Sequence, residues 1–156
     1  MAMGKKVSWG ALAGGAVGLV TFVGAAIGIV QYYGAARTPN LTGTWTITNR
    51  TTKTTYTAYR NLEVTYTVTI TQTGSDFTGC GTKTTESGRP LSGKAHTPIT
   101  ITGKVGADGV EASFTEKGLQ RESFGGFNWK LAKNRKWGGT FYSDAANSSG
   151  ESTLSQ

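Results

Sequence analysis

One histidine, His96, and one cysteine, Cys80, are all that this 156-residue chain offers for nucleophilic catalysis, and no signature joins them. Cys80, in Thr78-Gly79-Cys80-Gly81, reads as a small strand residue, and His96, beside Thr97-Pro98, as a loop residue. A metal site needs Cys, His or carboxylate ligands at short spacings, and no Cys/His cluster exists here. No glycine-rich phosphate loop precedes a helix, and there is no nucleophile elbow. The carboxylates are spread over the chain with nothing to pair two of them as acid and base. These residues predict no enzyme, no metal and no cofactor. A lone cysteine also excludes an internal disulfide, which fits a reducing compartment.

Charge is more informative. From Arg37 onward the chain carries 14 Lys and Arg against 9 Asp and Glu, which favours anionic partners such as nucleotides or phospholipid headgroups. The densest cluster runs from Trp129-Lys130 through Lys133 and Arg135 to Lys136-Trp137. Two indoles among four cations could grip a phosphate and stack on a base. The same residues equally describe a core Trp beside a solvated hairpin tip, because Trp129 falls in the apolar register of its strand. A basic tip flanked by Trp also suits anionic headgroups. Arg60, beside Tyr59, and Arg121, near Ser123, lie near predicted strand ends, where a guanidinium fork suits phosphate. Tyr66 and Tyr142 could stack a base from inside a barrel mouth. Each of these four is also compatible with a surface ion pair or a core ring. The candidate ligand-binding residues are therefore Arg60, Tyr66, Arg121, Trp129, Lys130 and Tyr142.

Two very different stretches must position them. From Val7 to Ala36 there is no charged residue. On a helix, Gly10, Gly14, Gly18, Thr21, Gly24, Ala25 and Gly28 fall within an arc of roughly 120°, opposite Leu12, Leu19, Val23, Ile27 and Val30. Residues 11–33 would span about 34 Å against a hydrocarbon core of about 30 Å. Gln31, Tyr32 and Tyr33 suit an interfacial end. The stretch 1–36 thus predicts one transmembrane helix whose small face packs against a second helix. A cleaved signal peptide is the rival, with Lys5-Lys6 as its n-region and Gly34-Ala35-Ala36 as its cleavage site. The apolar run exceeds the roughly 7–15 residues of an h-region. Lys5 and Lys6 on one flank nearly balance Arg37, Arg50 and Lys53 on the other, so charge alone does not orient the helix.

Residues 37–40, with Thr38-Pro39-Asn40, predict a short linker. Residues 41–156 predict one all-β domain. Leu41, Gly43, Trp45 and Ile47 alternate with threonines; so do Leu62, Val64, Tyr66, Val68 and Ile70. Further strands are expected at Phe77 to Thr85, Ile99 to Val105, Val110 to Thr115, Phe127 to Leu131 and Trp137 to Ser143. A short one is expected at Glu151 to Leu154, with another possible around Tyr56 to Arg60. The last ten, Ser-rich residues read as loosely held. Seven or eight short antiparallel strands and no convincing helix favour closure into a small, roughly eight-stranded barrel, with glycines such as Gly79, Gly81, Gly125, Gly126, Gly138 and Gly139 at its bends and bulges.

In layout the chain resembles the transmembrane β-barrel effectors of bacterial anti-phage signalling of the CBASS type. The resembling stretches are Leu41 to Trp45, Tyr66 to Gly81, Ile101 to Val105 and Gly138 to Tyr142. Effectors of that kind carry two membrane helices, whereas this chain has one predicted span. The resemblance implies a barrel in the cytoplasm that binds a cyclic dinucleotide or related cyclic oligonucleotide. It implies assembly of copies through the membrane helix and disruption of the bacterial inner membrane. The expected partners are thus that ligand, the lipid bilayer and other copies of the chain, with no nucleic-acid polymer. The Leu41-x-Gly43-x-Trp45 opening is also similar to lipocalin-like barrels, which implies the alternative of a secreted or periplasmic small-molecule carrier. An accessory membrane subunit without a ligand is a third reading.

Overall fold

The computed structural model describes residues 38–132 and 136–156. The predicted membrane span, with Gly10, Gly14, Gly18, Gly24 and Gly28, lies outside the described residues, as do Lys133 and Arg135. Among the described residues no helix is long and apolar enough to cross a membrane.

Thr38–Gln156 form one compact unit built of strands. In chain order these are β1 (Gly43–Lys53), β2 (Glu63–Thr73), β3 (Asp76–Glu86), the two-residue β4 (Arg89–Pro90), β5 (Pro98–Val105), β6 (Val110–Lys117), β7 (Glu122–Leu131), β8 (Trp137–Ser143) and β9 (Ser148–Ser155). Leaving aside β4, each pairs antiparallel with the next, and β9 returns to pair with β1. The result is a closed, up-and-down, eight-stranded barrel without a free edge.

Alternation places Ile47, Val68, Ile70, Ile99, Ile101, Val110, Trp129 and Leu154 inside, each almost fully buried. Each such aliphatic side chain is worth about 1.5–3 kcal/mol relative to exposure. Phe114, Phe127 and Trp129 form a continuous stack along the bore, with ring centroids 4.8 and 4.5 Å apart. The inward glycines make room for these rings: a Cβ on Gly125 would meet the Phe114 ring, and one on Gly103 the Phe77 ring. The two strand register shifts fall at Thr65/Tyr66 and Thr51/Lys53, so none of the glycines expected at bulges sits at one; Gly79, Gly81, Gly125, Gly126 and Gly139 instead allow close packing, while Gly138 faces open space.

One end is plugged by the chain before β1. Leu41 is fully buried, and its carbonyl accepts a 2.6 Å hydrogen bond from Trp45 Nε1. Gln72 fastens the plug, since its Oε1 accepts from the Leu41 amide while its Nε2 donates to the Pro39 and Gly74 carbonyls. The described part of the predicted linker is thus tied to the barrel.

Two expectations need correction. Thr57–Tyr59 form a single 3-10 turn, with Tyr56 and Arg60 as its caps, and not a strand. The turn is followed by Asn61, a non-glycine residue at positive φ that suits a reversal rather than a strand. The last ten residues are not loose: β9 takes up eight positions of them and closes the barrel. Apart from Leu154, its inward residues are small because the bore opposite is filled by aromatic rings. Gly150 faces Phe141 in register, and Ser152 hydrogen-bonds the Trp129 indole.

Candidate functional site

The end opposite the plug holds a largely shielded ion pair. In β6 the inward register runs Val110, Ala112, Phe114 and then Glu116. In β3 it runs Phe77, Gly79, Gly81 and then Lys83, followed by the bulge at which Tyr66 pairs with Lys83 and Thr65 with Thr85. A bulge re-aims the residues beside it. Lys83 Nζ lies 2.6 Å from Glu116 Oε1, with only 16% and 13% of the two side chains exposed. Thr97 Oγ1 donates to the same oxygen at 2.8 Å, and Tyr66 Oη donates to Oε2 at 2.8 Å. The Lys83 ammonium also stands 5.8 Å from the Tyr66 ring centroid.

With each of its oxygens already accepting a hydrogen bond, Glu116 is committed to holding its neighbours. Burial, and then the Glu116 charge, push the Tyr66 phenol well above its ordinary range, so it stays a donor at neutral pH. Lys83 has three N–H donors, of which this pair engages one. The arrangement fixes a cation at the bore's end; it does not assemble a nucleophile and base. Among the described residues no group of three or more His, Cys, Asp or Glu could hold a metal ion.

The loops around this end are cationic. They carry Arg60, Arg89, Lys94 and Arg121 against one acid, Asp144. The strand ends behind them add Lys53 and Lys117 together with Glu63, Glu86 and Glu122, and the Lys117–Glu122 contact, at 4.0 Å, is exposed. Tyr56 and Tyr59 form an exposed ring pair in the β1–β2 loop, 5.8 Å between centroids, and Leu119 is exposed in the β6–β7 loop. Arg121 donates to the Asp144 carbonyl at 3.3 Å, and the Asp144 carboxylate accepts from the Phe124 amide, so these two loops are held together.

The residues expected to bind ligand separate into three places. Arg60, Tyr66 and Arg121 belong to this charged end. Trp129 is a core residue, fully buried, with its indole N–H on Ser152 and Ser152 in turn on Asn49. It cannot stack on a ligand. Lys130 and Tyr142 point outward from β7 and β8. Tyr142 is not inside the mouth, because Trp137, Gly139 and Phe141 take the inward parity of β8. Cys80 is exposed on the outer wall, and His96 lies in a loop with its Nδ1 3.0 Å from the Lys83 carbonyl. Sequence reasoning missed Lys83, Thr97 and Glu116. The signal was available for two of them, since both Lys83 and Glu116 continue an inward apolar alternation.

No family model matches the chain, and neither a curated protein nor a solved structure matches it.

Proposed function

We propose that this chain is a membrane-anchored sensor whose barrel binds a cyclic oligonucleotide at the charged end. On this reading the barrel lies in the cytoplasm on a single inner-membrane helix. Ligand binding brings several copies together through the Gly10–Gly28 face, and the clustered helices disrupt the bilayer as an anti-phage response. The observation that carries the binding step is the set of cations Arg60, Arg89, Lys94 and Arg121 at the same end of the barrel as Lys83 and the Tyr56–Tyr59 ring pair. Guanidinium forks match phosphate, and exposed rings offer faces for bases. The membrane and defence steps are supported by the apolar, glycine-striped N-terminal sequence and by the resemblance in layout.

The filled bore argues against the lipocalin-like alternative. Phe114, Phe127, Trp129 and Trp137 occupy the space in which a carrier would hold its cargo. The test is thermal unfolding of the full chain with a panel of cyclic di- and trinucleotides. At least one should raise the midpoint in a concentration-dependent way, as mass action requires of a ligand of the folded state. Unmoved midpoints across the panel would overturn the proposal.

A further inference from the structure

The outer wall of the barrel is divided. Over β1, β2, β3 and β5 the outward positions are mostly threonine, as in the register row Thr44, Thr69, Cys80 and Thr100. Over β6, β7 and β8 they change character. Ser113, Gly126 and Tyr142 stand in one row, and Glu111, Asn128 and Thr140 in the next. Gly126 leaves a bare floor between them. A Cβ there would lie 2.6 Å from the Tyr142 ring, so the ring leans over the glycine while staying 63% exposed. These residues wall a surface groove of about 440 Å³. A second groove of about 550 Å³ adjoins it, sharing Lys104, Glu111 and Asn128, and continues to Lys130 and the Gly106–Gly109 turn.

The contents of this channel select among ligand classes. Its cations, Lys104 and Lys130, are matched by Glu111 and Asp108, and Lys104 also reaches Asp76 at 3.6 Å. It therefore has no excess positive charge for a chain of phosphates. A peptide that adds as a strand needs an unpaired sheet edge, and a closed barrel has none. What remains is a shallow surface groove with one exposed ring, an amide, several hydroxyls, and two lysines balanced by two carboxylates. Glu111 takes part in none of the ion pairs among the described residues. A sugar ring presents an apolar C–H face and an edge of hydroxyls that both donate and accept, and it matches that set.

We infer that the β5–β8 wall is a binding site for an uncharged oligosaccharide, with one sugar stacked on Tyr142 above Gly126 and its neighbours hydrogen-bonded by Asn128 and Glu111. The site lies on a different surface from the charged end and does not depend on its reading.

The test titrates the full chain, in a detergent without a sugar headgroup, with cellohexaose, chitohexaose and maltohexaose while backbone amides are followed by NMR. At least one hexasaccharide should shift the Ser113, Gly126, Asn128 and Thr140 amides saturably. Its affinity should fall about tenfold in Tyr142→Ala and in Asn128→Ala, and stay within about threefold in Tyr142→Phe. Both positions are exposed, so the variants keep the fold, which the unchanged core amides report. No shift with any of the three sugars would overturn the inference, as would an affinity indifferent to Tyr142→Ala. Tighter binding of polyphosphate or of a peptide at the same amides would overturn it too.

Discussion

Tyr66 Oη donates a 2.8 Å hydrogen bond to Glu116 Oε2, joining β2 to β6, two strands that share no backbone pairing. The bond crosses the bore at the end where side chains, not a plug, close it. Burial first, and the Glu116 charge second, raise the Tyr66 phenol well above its ordinary value of 10.0. The stabilisation from a raised group is fully present below its unfolded value and is lost as pH climbs through its folded value. Stability should therefore show no Tyr66 contribution to its slope at neutral pH and should fall above about pH 10. Tyr66→Phe should cost about 1–2 kcal/mol at pH 7, by stripping Glu116 of a donor, and should fall less steeply in alkali. Urea midpoints from pH 7 to 11 for the two proteins decide it; parallel curves would contradict the assignment.

Lys83 and Glu116 are coupled. Lys83→Met alone leaves a mostly buried carboxylate without its cation and should cost about 3 kcal/mol. Adding Glu116→Gln removes the orphaned charge and should recover much of that loss. A double-mutant cycle in urea measures the coupling, and additive losses would show that the pair is not a unit.

A second buried chain, Trp129 Nε1 to Ser152 Oγ to Asn49 Oδ1, joins β7, β9 and β1 at 2.9 and 2.7 Å. Ser152→Ala leaves both a donor and an acceptor buried without a partner and should cost roughly 2–4 kcal/mol. Because Trp129 is fully buried, this loss should appear in denaturation and leave ligand affinity per folded molecule unchanged.

Adjacent glycines in β8 should behave oppositely. A Cβ on Gly139 would run into the Asn128 carbonyl, whereas one on Gly138 meets nothing within 4 Å. Gly139→Ala should be strongly destabilising. Gly138→Ala should be neutral or should raise stability by up to about 1 kcal/mol, since it restricts the unfolded chain. Melting temperatures of the pair check this, and equal losses would contradict the strand packing.

Much of the barrel was legible because its inner wall alternates with threonine, and the Leu62–Ile70 and Val110–Phe114 patterns map directly onto β2 and β6. The Glu151–Leu154 part of β9 was legible as a short strand, whereas its start at Ser148–Gly150 was hidden because hydrophobicity is the cue that reveals a strand. The inward Ser148, Gly150 and Ser152 are small because Trp129 and Phe141 fill the space they face, and Leu154 alone keeps the apolar cue. Tyr142 was placed inside although its neighbour Phe141 holds the inward parity, a distinction that strict period-two counting makes. The charged end was half legible. Arg60 and Arg121 stood out as lone guanidiniums, but the buried Lys83–Glu116 pair required following an apolar alternation onto charged residues. Thr97, which lies between strands, had no periodic cue at all.

The most direct measurement of the central claim is a map of which backbone amides of the full chain move when the stabilising cyclic nucleotide is added. The account predicts the largest shifts around Arg60, Lys83, Lys94 and Arg121, and affinity at least about tenfold weaker in Arg60→Ala/Arg121→Ala, from lost phosphate contacts. Shifts centred on the plug around Leu41 and Gln72, or binding unaffected by the double substitution, would contradict it.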